Sequence, residues 1–513
     1  NNSMQQQKQY DTVIIGSGLG GLVCGAILSK EGQRVCVLEK NEQIGGNLQT
    51  FKRDGVTFDT GVHYISGLDK GQNLYQFFNY LGLMDRLELL KMDEEGFDVI
   101  LLGDDATEYP YGMGYEKFKQ KMLACFPDEQ IAIDTYCNDM QRICNNFPMY
   151  NIKDGNEYED KTVFTTSAAA YFDALTNNEK LRAVLAGTHL LYGGTRNKTP
   201  LHVHALVVNS YIESSWRCVK GGDQLAKLLA KSIREAGGDV LRKKNVTHIE
   251  LENDKAVYVE TDTGERFYGS QFISNMHPAQ TLDLTNTPLF RKAYRSRIQG
   301  IENTVSAFIV NIVLKPDTVL FHNRNYYYHC NTDVWNTVDY HPEEWPHHYA
   351  LFENVPEKGS AYTDGIILMT YMRYDEVAQW KDTMNTTLDE QSRGEDYERF
   401  KQEKAEKLLA LVYKRFPELE GAIQNYYTST PLSYRDYIGT ADGNMYGIAK
   451  DFNDPLQTTI SPVTKIPNLF LTGANIVLHG VLGVTVGAFI TTSCLLGKEY
   501  LVNKIRKANE TLS

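Results

Sequence analysis

None of the eight cysteines, at positions 24, 36, 125, 137, 144, 218, 330 and 494, falls in a C-x-x-C pair or a regular spacing. That excludes a zinc ribbon and a disulfide framework, and it leaves mostly buried, reduced thiols as the expectation. Blocks of Lys and Arg are lacking too. With 52 basic residues against 65 acidic ones the formal net charge is -13, so nucleic acid is excluded as a partner, because binding a phosphate backbone rests on concentrated positive charge. The first nine residues are polar and lack the apolar core of a secretory signal, which points to a cytoplasmic protein. A membrane span is not expected either. Positions 466–497 hold no Asp, Glu, Lys or Arg and are long enough to cross a bilayer. Pro467, Asn468, Asn475, His479 and the repeated glycines nevertheless fit a strand, a buried loop and a helix better. His202 and His204 alternate with no third ligand nearby, so no metal site is expected.

What remains is an ordinary globular composition, 42% hydrophobic and 23% charged over 513 residues, enough for a large core shared by more than one region. Tyr10 to Ile15 form an apolar, β-branched run. Gly16-Ser17-Gly18-Leu19-Gly20-Gly21 follows, ahead of a predicted helix from Leu22 to Glu31. Strand, glycine turn and helix in that order build a diphosphate site. Gly16 permits the tight turn, Gly18 lets backbone approach the pyrophosphate, Gly20 sits in the same turn, and Gly21 allows close packing, so the anion meets a positive helix N-terminus. The second strand, Arg34 to Leu38, ends at Glu39, where a carboxylate can accept both ribose hydroxyls. Glu39 favours FAD or NAD over NADP.

The continuation runs from Glu39 and Lys40 through Gly45, Gly46 and Asn47 to Asp59-Thr60-Gly61. It resembles the extended flavin fingerprint of the amine oxidase and phytoene desaturase superfamily, and the resemblance implies FAD as the cofactor. Paired glycines let backbone amides crowd a charged or ring-shaped ligand. Two later returns complete the pattern. In the first, Val219-Lys220-Gly221-Gly222, a predicted helix Leu225 to Ala236 and a strand from Val246 lead to Phe272-Ile273-Ser274-Asn275, and Val246 is similar to the family valine that meets the adenine. In the second, Gly473, Ala474 and Asn475 precede His479-Gly480-Val481-Leu482-Gly483, which opens a predicted helix from Val484 to Leu496. Here Asn475 stands where many relatives carry an acid for the ribityl chain, and an amide can serve that hydroxyl as well. Gly483 and Val484 would face the flavin ring.

From Tyr10 to about Gly497 the chain resembles the retinol saturase branch of the phytoene desaturase and carotenoid isomerase family. Beyond the cofactor motifs, the resemblance is carried by Phe58-Asp59-Thr60-Gly61-Val62-His63-Tyr64-Ile65, Leu206-Val207-Val208-Asn209, Pro417-Glu418-Leu419-Glu420-Gly421 and Pro431-Leu432. It implies an α/β, overall α+β, fold: a Rossmann-like FAD domain of glutathione-reductase and amine-oxidase type, with a second domain of mixed sheet and helices. The expected division is 8–71, 212–285 and 428–513 for the cofactor domain, and 72–211 and 286–427 for the substrate domain. In the latter, strands at Val305 to Val313 and Ile366 to Thr370 and a helix at Tyr397 to Phe416 are predicted.

The implied activity is hydride transfer through flavin N5 to a carbon-carbon double bond of an apolar polyene, isoprenoid or lipid-like molecule. His63, Tyr64, His479 and Tyr446 are the candidates for the accompanying proton. No second G-x-G-x-x-G is present, so the electron partner stays open between NAD(P)H and a quinone. A desaturase, a redox-neutral carotenoid isomerase, a flavin amine oxidase and a non-catalytic lipid-binding escort protein share the fold and stand as alternatives. An apolar substrate also allows peripheral membrane contact.

Overall fold

The computed structural model describes residues 9–155 and 161–510. The polar stretch at 1–8 and positions 511–513, where the expected cofactor domain ends, lie outside the described residues.

Gln9–Ile15 forms the first strand, with its last four residues buried, as its alternation of β-branched and apolar side chains dictates. It is the centre of a seven-stranded sheet ordered Asp239–Leu241, Val35–Leu38, Gln9–Ile15, Arg266–Ser274, Lys255–Thr261, Val246–Glu252. The first four are parallel, and the last three form an antiparallel meander. Leu469–Leu471 joins beside the C-terminal half of Arg266–Ser274, also in parallel. A parallel sheet is buried on both sides, and its strand Val35–Leu38 is buried at every position.

Helix Leu19–Lys30 packs on this sheet, buried at every residue but the last. It begins three residues earlier than the sequence predicts. Gly18 is its extended N-cap, and Gly20 and Gly21 lie inside the first turn rather than in a loop. Gly-rich turns normally weaken a helix, but here a side chain is excluded: a Cβ at Gly21 would stand 2.2 Å from the Gly16 carbonyl oxygen. The helix Gly480–Leu496, which precedes a last helix Lys498–Asn509, also begins earlier than predicted and lies against Leu19–Lys30. Among the described residues no helix is long and apolar enough to cross a membrane.

The second sheet is also seven-stranded, ordered Ile423–Ser429, Ser306–Leu314, Gly365–Met372, His348–Glu353, Asn325–His329, Asp98–Leu102, Tyr109–Tyr111. Only Asn325–His329 and Asp98–Leu102 run parallel, so the sheet is mixed. Its five central strands are buried on both faces. Helices Gln130–Asn145 and Leu201–Glu213 form a separate packed pair. His202 and His204 are both on the latter and buried. His204 is fixed between the hydroxyls of Tyr136, at 2.8 Å, and Tyr192, at 2.6 Å, a packing role. No cluster of three metal-type ligands occurs among the described residues.

Candidate active site

One cavity, of about 290 Å³, runs from the glycine turn to the second sheet. At one end the chain leaves its first strand at Gly16, whose φ of +98° only glycine adopts easily. Gly18 and Gly45 then meet in a parallel bridge. The Ser17 hydroxyl ties this end together. It donates to Glu39 Oε1 at 2.6 Å and accepts from the Gly45 amide at 3.2 Å. Glu39 is 6% exposed, and its second oxygen accepts from the Asn41 amide at 2.8 Å. The carboxylate is thus locked in place at the cavity wall, with lone pairs to spare.

Of the sequence-derived cofactor candidates, Gly16, Gly18, Gly20, Glu39, Lys40, Gly45, Gly46, Asn47, Gly61, Val246, Gly473, Asn475 and Val484 all line this cavity. Gly21 and Gly483 do not. They are close-packing positions, Gly21 against Gly16 and Gly483 against Leu478, where a Cβ would sit 2.7 Å from the leucine Cβ. Asn475 is committed in part, since its Oδ1 accepts from the Ile448 amide at 2.9 Å. A cradle that a Cβ at many positions would fill, walled by a fixed carboxylate and closed by the first turn of helix Gly480–Leu496, suits a dinucleotide.

Asn275 went unnoticed as a site residue. Its side chain lies where side chains at Gly18, Gly20 and Gly473 would begin, at 2.7, 2.8 and 2.6 Å. A strand-terminal asparagine carries no local signal; only the meeting of three distant segments reveals it.

The other end of the cavity gathers His63, Tyr64, Tyr446 and His479. Tyr446 donates to the Leu190 carbonyl at 2.5 Å, and His479 Nε2 lies 2.7 Å from the Leu191 carbonyl. Burial pushes the His479 imidazole down to about 4, so the ring is neutral, and its one N–H is spent on that carbonyl. The two rings rest together, centroids 4.7 Å apart. His63 is different. It stacks on Phe352 at 4.3 Å, and neither ring nitrogen has a partner among the described residues. Burial, reinforced by the nearby Arg217 charge, pushes it down to about 3.

Behind Tyr64 lies a buried polar chain that sequence reasoning missed entirely. The Tyr64 hydroxyl is 2.9 Å from Asp98 Oδ2 and 2.7 Å from the Tyr327 hydroxyl. Asn325 donates to Asp98 Oδ1 at 3.1 Å and accepts from Arg217 at 3.0 Å. Burial pushes the Asp98 carboxyl up to about 7, despite the opposing pull of these hydrogen bonds and of Arg217.

Comparison with known proteins agrees with this architecture. Residues 14–81 match the family described as an NAD(P)-binding Rossmann-like domain. Human all-trans-retinol 13,14-reductase is 27% identical, over 96% of this chain and 86% of its own. Prolycopene isomerase 2 from an Oncidium hybrid cultivar is 25% identical, over 86% of this chain and 76% of its own. The structure of cyclohexylamine oxidase from Brevibacterium oxydans superposes with a TM-score of 0.61 at 14% identity, covering 98% of this chain and 100% of that one; at that identity the likeness concerns the fold. With the glycine cradle, the fixed Glu39 and the cavity that ends at His63 and Tyr64, the chain is similar along most of its length to proteins named as a retinol reductase and a prolycopene isomerase.

Proposed function

We propose that this chain is an FAD-dependent oxidoreductase of retinol saturase type, acting on a carbon-carbon double bond of an apolar polyene or isoprenoid molecule. The observation that carries the reading is the continuity of the cavity. Its glycine end suits a diphosphate, and its far end is walled by Tyr64, Tyr211, Phe352, Met369 and Tyr446, an apolar, aromatic surface for a flat unsaturated chain. The near full-length similarity to a retinol reductase and a prolycopene isomerase supports the same substrate class.

Gly16, Gly18, Gly20, Gly45, Gly46 and Gly473 would hold the diphosphate through backbone amides, and Glu39 would take the ribose hydroxyls. The bound flavin supplies two-electron hydride chemistry. The chain supplies orientation, a dry cavity and the proton. Tyr446 and His479, with their hydrogens committed to the Leu190 and Leu191 carbonyls, shape the wall. His63, neutral and unpartnered, keeps one donor and one acceptor for a polar atom of the cofactor or the substrate.

Purified protein reconstituted with FAD and reduced without oxygen should be reoxidised by one class of conjugated polyene, followed by loss of the reduced-flavin spectrum. Reoxidation by no polyene, together with reduction of the oxidised enzyme by amines, would overturn the reading in favour of an amine oxidase.

A further inference from the structure

Adding hydrogen across a double bond takes a hydride at one carbon and a proton at the other. Of the five polar rings around the far end of the cavity, four cannot readily give a proton, among them Tyr211, whose hydroxyl donates to the Tyr64 carbonyl at 3.4 Å. Tyr446 and His479 donate to backbone carbonyls. Neutral His63 is a very weak acid, and burial beside Arg217 opposes the imidazolium that would be strong enough. Tyr64 alone touches a second acidic group, Asp98, which is 1% exposed and sits on the second sheet rather than on the cofactor domain.

Asp98 is placed with some care. Its strand runs parallel to Asn325–His329 with Asp98 and Asn325 as direct register partners. The Asn325 amide holds one carboxyl oxygen and leaves the other to Tyr64. Arg217 stops one residue short. It bonds to Asn323, Asn325 and the Glu353 carbonyl, with no direct bond to Asp98. A direct Arg–Asp pair would fix the carboxylate as an anion. An intervening amide leaves it able to hold a proton, in a buried site that favours the neutral form.

We propose that Tyr64 protonates the substrate and that Asp98, as the positioning residue behind it, stores the proton and replaces it; this rests on the polyene-reducing reading above. With reduced FAD bound, the cofactor would supply the hydride for one carbon of the double bond, while the Tyr64 O–H bond breaks as a new C–H bond forms at the other. The Asp98 O–H bond breaks as the Tyr64 O–H bond re-forms, and water later returns a proton to the Asp98 carboxylate. The two transfers are concerted, because burial and the neighbouring Asp98 and Tyr327 strongly disfavour a free Tyr64 phenolate. Tyr327 steadies the Tyr64 oxygen from the other side.

Two measurements test this. The first uses no substrate: infrared titration of the wild type against Asp98→Asn should reveal a buried carboxylic acid that ionises near pH 7 and is lost in the variant, separate from the Asp59 and Glu213 carboxyls, which burial also raises to about 7 and which the variant keeps. Its absence in the wild type overturns the proposal. The second follows anaerobic reoxidation of the reduced holoenzyme by all-trans-retinol or whichever polyene reoxidises it. Tyr64→Phe and Asp98→Asn should each slow the step on the order of 100-fold or more, with FAD content unchanged. The wild-type rate should fall above pH 7, and the fall should vanish in Asp98→Asn. Variants within threefold of wild type, or an unaltered pH profile, would remove both residues from the proton path. Should Asp98→Asn not fold, Tyr64→Phe and the infrared titration decide alone. If no polyene reoxidises the wild type, the parent reading fails, and the infrared result still stands or falls separately.

Discussion

Asn275 and Gly473, far apart in sequence, touch so closely that a Cβ on Gly473 would stand 2.6 Å from Asn275 Oδ1. The asparagine reaches across the floor of the cofactor cavity and sets how near the last strand can come to the glycine turn. Neither residue can grow without moving the other.

The first prediction concerns that crowding. Gly21→Ala places a Cβ 2.2 Å from the backbone oxygen of Gly16, which has no freedom to retreat, so the variant should retain little or no FAD after purification. Gly18→Ala meets a side-chain amide, that of Asn275, at 2.7 Å rather than backbone, and should bind more weakly rather than not at all. Gly300→Ala, with open space around it, is the control and should match the wild type. Flavin absorbance per protein and equilibrium dialysis report the outcome; equal occupancy in Gly21→Ala and wild type would contradict the packing argument.

His63 separates two roles by experiment. If its unpartnered nitrogens contact cofactor or substrate without giving the proton, His63→Ala should alter the flavin absorption maximum or raise KM while kcat falls less than tenfold. Steady-state kinetics with difference spectroscopy distinguishes this from loss of a proton donor, which lowers kcat and leaves KM alone.

The third prediction is a pH dependence of stability. The Asp98 carboxyl titrates near 7 in the folded chain against 3.8 as its ordinary value. Between those values the native state binds more protons than the unfolded state, so the contribution of this group falls as pH rises from about 4 to about 7, and is flat beyond. The whole shift corresponds to at most about 4 kcal/mol. Asp98→Asn cannot ionise, so its thermal midpoint should gain on the wild type as pH rises through that window. Parallel curves would mean that the carboxyl is not raised in the fold.

The sequence-derived candidates that line the cavity share a property: their pattern is local. Gly16, Gly18 and Glu39 announce themselves through strand, turn and acid at fixed spacing, because a diphosphate site is built from consecutive backbone. The early start of helix Leu19–Lys30 was not legible, since glycine propensity argues against it and only the sheet beneath overrides that. Asp98, Asn325 and Arg217 were invisible for a stronger reason. Each belongs to a different strand, and nothing near any one of them in sequence indicates the others. His63 drew attention because it lies in the G-x-H-Y run, while the neighbouring Tyr64 finds its partner, Asp98, on the second sheet. The Ile466–Gly497 stretch was legible because its polar interruptions argue against a span.

The cavity wall takes residues from 15–20, 61–64, 275–277, 444–447, 473–475 and 479–481. A chain still emerging from the ribosome therefore has no complete dinucleotide site until its last apolar helix has been made and has folded back against its first. Closing so long a loop costs little more than closing one half its length, but the return arrives only at the end, when ligand binding draws the population toward the closed form. In this protein the cofactor would act as a late inspector of assembly, rewarding only chains whose two ends have met.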